Sequence, residues 1–201
     1  WKFAAVLRER AGVSILDTYE PERIAFARRL VATTDQAFTG VSSSSVTART
    51  LRLHLVPALL PRLLTMQAVR RLAFRTVSQT AINYRGSALS EGRAGRVQGG
   101  DRLPWVPLDA SDRGADNFTP LTSLEWQVHI YGNVVPEIRT VCAERHLALH
   151  EFGWQHAMER AGLRRDALYL LRPDGYVALA APEQSAPTLT AYLQARAIRF
   201  S

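Results

Sequence analysis

The sequence predicts an α+β chain in two parts, a helical N-terminal half followed by a small domain of alternating strands and helices. Three observations carry this reading. Apolar residues recur at helical spacing from Trp1 to about Val77, and beyond Leu124 the pattern changes to short strands separated by helices. The charge divides the same way. Residues 1–100 carry 15 basic and 6 acidic groups and residues 101–201 carry 10 and 12, so the whole +7 excess lies in the first half.

The chain opens Trp1-Lys2-Phe-Ala-Ala-Val-Leu-Arg8, already in helical period and without an initiator Met, as a chain cut from something longer would. This helix is expected to reach Ala11 and stop at Gly12, a favourable residue just past a helix end. Asp17-Thr-Tyr-Glu20 has the form of a capping box, and Glu20 can pair with Arg23 along the helix. Ile24, Ala27, Leu30 and Val31 continue that helix to Gly40, and Ser42 to Ser45 form a polar loop. Val46 to Val77 is helical again, kinked or split by Pro57 and Pro61. Arg49, Arg52, Arg62, Arg70, Arg71 and Arg75 line this stretch. They fit the wet face of helices packed on a neighbouring domain, or a basic surface for membrane or nucleic acid.

Between Thr80 and Leu108 short strands and turns take over. Ala81-Ile-Asn-Tyr84-Arg-Gly86-Ser reads as a strand entering a turn, Glu91 to Gly100 as a surface loop, and Asp101 to Pro107 as extended chain. Asp109 to Asn117 is polar and contains Gly, which places a domain boundary there. The predicted units are therefore 1–108, a linker at 109–118, and 119–201.

The last unit alternates cleanly. Strands are expected at Leu124–Tyr131, Leu147–Phe152, Ala167–Arg172 and Tyr176–Ala181, the last two joined through Pro173-Asp174-Gly175. Helices are expected from Pro136 to His146, Gln155 to Ala161 and Glu183 to Ala197. The order β-α-β-α-β-β-α is the thioredoxin-like arrangement, with a right-handed first crossover. Trp1, Trp105, Trp126 and Trp154 are expected to pack between layers.

Composition excludes several chemistries. Cys142 is the single cysteine, so the chain has no internal disulfide, no CxxC pair and no cysteine zinc cluster, which suits a reducing cytoplasm. The turn where thioredoxin chemistry needs thiols reads Tyr131-Gly-Asn-Val-Val-Pro136. Cys142, His146 and His150 are spaced for one helix face, but the predicted helix ends before His150. The glycines of Glu91–Gly100 have neither the G-x-G-x-x-G spacing nor a following Lys-Ser/Thr. Ser87 and Ser90 lack a G-x-S-x-G elbow, and Asp112 with Asp116 lie in the linker as solvated carboxylates. The longest uncharged stretch, Gln36 to Ala48, falls short of the ~18 apolar residues that span a bilayer, so no membrane partner is expected. Basic residues are spread along the chain and 24 of 25 are Arg, with no basic tail, so no nucleic-acid partner is expected either.

Trp1-Lys2-Phe-Ala-Ala-Val-Leu-Arg8, followed by Leu16-Asp-Thr-Tyr-Glu-Pro-Glu-Arg23, resembles the stretch just after the flavin-binding region of class A FAD-dependent aromatic hydroxylases, the para-hydroxybenzoate hydroxylase-like superfamily. Tyr84-Arg-Gly-Ser and Gly100-Asp-Arg-Leu-Pro104 resemble the same family's substrate-domain end, and a thioredoxin-like domain without cysteines resembles the C-terminal domain of its phenol hydroxylase-type branch. The resemblance implies the helical tail of a flavin-monooxygenase core joined to a thioredoxin-like domain. It implies FAD- and NAD(P)H-dependent monooxygenation of a small aromatic or polyketide-like substrate, in which the cofactor oxidises while protein groups position and ionise the substrate. The family's G-x-G-x-x-G and Gly-Asp flavin motifs are not in this sequence, so the partner implied is an N-terminal FAD domain, and the isolated chain is expected to be inactive. Its absence would also leave the basic face of residues 1–100 bare. By resemblance Tyr84 is the one catalytic candidate, a tyrosine relaying the phenol proton; packing on a half-buried strand is its other reading. A homodimer is compatible with the family. The alternative functions are a non-catalytic thioredoxin-like interaction or dimerisation module and, more remotely, an Arg-rich nucleic-acid binder.

Overall fold

The structure, a computed structural model, describes residues 1–43, 45–67, 69–70, 82–108 and 115–200. It divides into two compact units, residues 23–82 and residues 1–22 with 83 onward.

The first of these is helical. Helix α2 (Tyr19–Ser42) carries Glu20 and Glu22 in its first turn, where the helix dipole favours acidic groups. It runs past the expected stop at Gly40, because one glycine costs only about 1 kcal/mol relative to alanine and does not end a helix by itself. Helix α3 (Val46–Thr50) opens into a wide π turn over Leu51–Leu55 before α4 (Val56–Thr65). Pro57 lies in the first turn of α4, where its missing N–H is tolerated, and Pro61 lies inside it. The chain thus stays helical through both prolines, and its break comes at Met66, whose ψ of 124° is extended. Leu59, Leu60, Leu63 and Leu64 on α4 are exposed. The expected continuation from residue 71 to Val77 lies outside the described residues.

The other unit is mixed α/β around one six-stranded sheet of order β2-β1-β6-β5-β3-β4. Its strands are β1 (Glu91–Ala94), β2 (Val97–Gln98), β3 (Gln127–Tyr131), β4 (Ala148–Phe152), β5 (Leu168–Leu171) and β6 (Val177–Ala181). Strand β3 runs parallel to β4 and antiparallel to β5, and β5 runs antiparallel to β6. Helix α5 (Pro136–Glu144) connects β3 to β4, α6 (His156–Ala161) connects β4 to β5, and α7 (Ala186–Ala195) follows β6. Ser185 caps α7 by accepting from the Thr188 N–H, which starts this helix later than Glu183.

Alternation along the strands builds two cores. Val128, Ile130, Leu168 and Leu170 pack with Ile138 and Cys142 of α5 and Leu189, Tyr192 and Leu193 of α7. Tyr131, Tyr169, Leu171 and Val177 point the other way, against Phe152, Met158 and Leu163.

Four local expectations are corrected. Helix α1 covers Lys2–Leu7 and does not reach Ala11. Glu9 takes a left-handed φ of 58°, the Arg10 and Ala11 N–H groups both bond the Ala5 carbonyl, and Ala11 bridges Ile198. Asp17 lies within a 3-10 segment, Val13–Thr18, and so does not stand ahead of α2 as a cap. Glu91 to Gly100 is a β1–β2 hairpin extending the sheet, with Ala94 and Val97 buried. A Cβ on Gly92 would lie 2.4 Å from the Ala180 carbonyl oxygen, so glycine there permits the approach of β1 to β6. Residues 82–84 form no strand; Tyr84 donates to the Gly100 carbonyl and the chain then turns. Ala81 lies outside the described residues.

The sheet draws strands from both sides of the segment 109–118, of which 109–114, with Asp112, lie outside the described residues. Asn117, at the end of the expected polar linker, is fully buried. Asp116 accepts from Trp105 Nε1 at 2.9 Å and from the Phe118 and Thr119 N–H groups. Trp126 is buried as expected, but Trp105 is 57% exposed, with its indole turned to Asp116. Among the described residues no helix is long and apolar enough to cross a membrane.

Candidate functional site

The β5–β6 turn sets the site. Pro173 and Asp174 sit in the turn between β5 and β6, whose pairing shifts register between Leu170 and Leu171, and Gly175 returns its N–H to the Arg172 carbonyl while the Arg172 N–H donates to the Tyr176 carbonyl. This aims the Arg172 guanidinium inward, 1% exposed. Its Nη1 and Nη2 reach the two Glu22 carboxylate oxygens at 2.8 and 3.2 Å. Its Nε and Nη2 also reach Asp174 at 3.1 and 2.7 Å. Two-pronged pairing of this kind is strong and directional.

Glu22 is the hub. Besides Arg172 it accepts from Lys2 Nζ at 2.8 Å and Ser87 Oγ at 2.6 Å, and Lys2 also donates to Thr18 Oγ1. Lys2 and Glu22 are both buried, so two cations and two carboxylates balance in a mostly dry setting. Burial opposes ionisation of the Glu22 carboxyl, but the Arg172 guanidinium, with Lys2 and Ser87, holds it below its usual range. Burial lowers the Lys2 ammonium, and Glu22 offsets this only in part. Arg172 is held up despite burial, by Asp174 and Glu22.

Three aromatic rings surround the guanidinium: Trp1 and Tyr84 at 5.3 Å and Tyr176 at 5.8 Å. Tyr84 packs on Tyr176 with centroids 4.6 Å apart. The Tyr84 hydroxyl makes no hydrogen bond to any described residue, and the side chain is half-buried. Its backbone is pinned by Gly100. That glycine has φ +88°, and a Cβ there would lie 2.4 Å from the Tyr84 carbonyl carbon and the Arg85 nitrogen.

A second polar group lies in the sheet core. Asn117 donates to the Tyr131 hydroxyl at 2.8 Å, Tyr131 meets His129 Nδ1 at 3.3 Å, and His129 Nε2 meets Gln127 Oε1 at 2.9 Å. Every proton has a place if Tyr131 donates to Nδ1 and Nε2 carries the hydrogen for Gln127. Burial, with His150 nearby, lowers His129 to about 3 and keeps it neutral.

The other sequence candidates are not brought together. Cys142 is buried on α5 with its thiol pushed up to about 11 by burial, His146 follows the helix end with φ 53°, and His150 lies on β4. No cluster of three metal-ligating side chains occurs among the described residues. Ser87 and Ser90 hydroxyls are committed to Glu22 and the Tyr84 carbonyl. Lys2, Glu22 and Arg172 escaped the sequence reading; the available signal was an Arg closing an apolar strand just before a Pro-Asp-Gly turn.

A family described as FAD binding domain matches residues 1–34, the segment that carries Lys2 and Glu22. Among solved structures the chain is similar to CabE, an aromatic hydroxylase from angucycline biosynthesis, at 26% identity over 96% of this chain and 37% of that one, TM-score 0.68. It is similar in fold to the OxyS anhydrotetracycline hydroxylase from Streptomyces rimosus, at 23% identity over 96% of this chain and 38% of that one, TM-score 0.67. The rebeccamycin biosynthetic enzyme RebC with reduced flavin shares the fold at 21% identity over 98% of this chain and 39% of that one, TM-score 0.67. No curated protein matches by sequence. The resemblance to class A flavin-dependent aromatic hydroxylases is thus shown, and the chain spans well under half the length of the structures it matches.

Proposed function

We propose that this chain is the C-terminal portion of an FAD- and NAD(P)H-dependent monooxygenase that hydroxylates an aromatic or polyketide-like substrate. The observation that carries the reading is the pairing of the FAD-domain match over residues 1–34 with aromatic-hydroxylase similarity along almost the whole chain. In this reading residues 1–108 are the C-terminal helices and short strands of the flavin and substrate core, joined by a linker at 109–118, and the exposed leucines of α4 are surface that the rest of that core covers. Residues 119–201 are a thioredoxin-like domain without thiol chemistry, supported by the β6-β5-β3-β4 order and the β-α-β-α-β-β-α succession.

The residues described do not by themselves fit FAD. Their glycine-rich segment is a hairpin packed against β6, with no strand–turn–helix phosphate cradle. The flavin is therefore assigned to an N-terminal domain outside this chain, and the isolated chain is taken to be inactive. Tyr84 remains the proposed proton relay: its hydroxyl is uncommitted, and Arg172 and Tyr176 fix its ring. The compartment proposed is the cytoplasm.

The decisive observation is the coding sequence upstream of Trp1. A strand-linked G-x-G-x-x-G and a Gly-Asp motif shortly before Trp1 are expected. An in-frame stop with a Met start near Trp1 overturns the enzyme reading in favour of a thioredoxin-like interaction or dimerisation module. The longer protein should then copurify with FAD and consume NAD(P)H when given an aromatic substrate.

A further inference from the structure

The β1–β2 turn and the loop after α6 close on each other at one end of the sheet. The Arg96 N–H donates to the Gly162 carbonyl at 2.8 Å, and its guanidinium donates to the Glu159 and Arg160 carbonyls at the end of α6. Glycine at 95 permits the approach, since its φ is +63° and a Cβ there would lie 2.6 Å from the Gly162 carbonyl oxygen. The closure gathers Arg93 and Arg96 of the hairpin beside Arg160, Arg164 and Arg165, all of them exposed.

The charges gathered there do not cancel. Arg165 pairs with Asp166 at 3.7 Å, and Glu159 faces His156 at 3.0 Å. Arg93 and Arg96 donate to main-chain carbonyls, and Arg93, Arg96, Arg160 and Arg164 have no carboxylate partner among the described residues. Elsewhere in the same unit Arg10, Arg85, Arg139 and Arg196 each hold one. The patch also lies away from Trp1. Trp1 Nε1 bonds Asp174 in the β5–β6 turn, whereas these arginines stand beyond Leu168 and Ala181, the paired residues at the opposite ends of those two strands. An upstream segment would therefore join the molecule at the far end of the sheet.

Exposed guanidiniums on a turn and a loop suit a broad anionic surface rather than an enclosed small molecule. Glu159 and Asp166 lie among them and would repel an unbroken phosphate backbone, while a protein surface can meet charges of both signs. We infer that this patch docks a carboxylate-rich segment of a partner protein, with Arg93, Arg160 and Arg164 pairing to its acidic side chains and Arg96 holding the hairpin on α6. The inference does not require the hydroxylase reading.

The test is fluorescence anisotropy of a labelled octaglutamate peptide titrated with this chain, beside a labelled oligothymidylate of equal charge. Saturable binding of the peptide is expected below about 1 mM, weakening as salt is raised. The triple variant Arg93→Gln, Arg160→Gln, Arg164→Gln should bind at least about tenfold more weakly. Removing the same charge from the helical unit, with Arg49→Gln, Arg62→Gln and Arg70→Gln, should leave the affinity at the wild-type level. All these residues are exposed, so both variants should keep the wild-type circular dichroism spectrum. The longer protein proposed above should bind the peptide as tightly as this chain does. The site is overturned by no saturation up to about 1 mM, by wild-type affinity in the patch variant or by an equal loss in the helical-unit variant. Tighter binding of the oligonucleotide, or loss of binding in the longer protein, overturns it as well.

Discussion

Arg172 and Glu22 stand 150 positions apart and meet in a two-pronged ion pair, at 2.8 and 3.2 Å, with both side chains buried. The pair fastens the segment matched by the FAD-domain family to the turn of the β5–β6 hairpin. Around it gather Lys2, Asp174 and three aromatic rings, one of them the catalytic candidate Tyr84.

Removing the hub should be costly. Glu22→Gln leaves Lys2 and Arg172 as buried cations without their shared carboxylate, and a loss of about 3–5 kcal/mol in unfolding free energy is expected. Lys2→Met leaves Glu22 still paired with Arg172 and Ser87, and should cost less. Urea titration of both variants checks the order; equal losses would contradict the role given to Glu22.

Acid should destabilise the fold through two groups. Glu22 has a folded pKa below its unfolded value, so its contribution is complete above the ordinary carboxylate range and is lost as pH falls through the lower folded value. His129 is held neutral, with a folded pKa of about 3 against 6.5 unfolded, so the unfolded chain takes up the proton first as pH drops below 6.5. Stability should therefore fall from pH 6.5 toward pH 3, and His129→Gln should flatten the upper part of that slope. A wild-type slope in the variant would remove His129 from the account.

Gly100→Ala tests the support of Tyr84. The added Cβ falls in a positive-φ backbone 2.4 Å from main-chain atoms of Tyr84 and Arg85, for an expected cost of about 1–3 kcal/mol. The Tyr84–Tyr176 contact should move with it, which NMR shifts of the two rings would report.

Tyr84→Phe tests the relay, and it rests on the proposed monooxygenase. In the longer protein the substitution should slow hydroxylation by about 10²-fold and leave the FAD-to-protein ratio unchanged. Turnover unchanged across the pH range would reduce Tyr84 to a packing residue.

The C-terminal elements were legible because their signals are local. Alternation marks β3, short apolar runs flanking Pro173-Asp174-Gly175 mark the β5–β6 hairpin, and Pro136 marks the start of α5. Glu91–Gly100 was misread for a physical reason. Gly92 interrupts the alternation of β1, and the strand that justifies it, β6, lies far along the chain. The end of α1 was missed similarly, since the bridge from Ala11 to Ile198 closes across almost the whole sequence.

The ion network was hidden at a different level. Glu20, Glu22 and Arg23 all look like surface charges on a helix's first turns, and nothing near them says that Glu22 alone goes inside. Periodicity, turn chemistry and the family motifs are written in residues close together, so the order of elements and the flavin-enzyme resemblance can be read from the string of residues. Burial of a charge is favourable only when a counter-charge arrives from elsewhere, and for Glu22 that is Arg172, brought in by the folded β5–β6 turn.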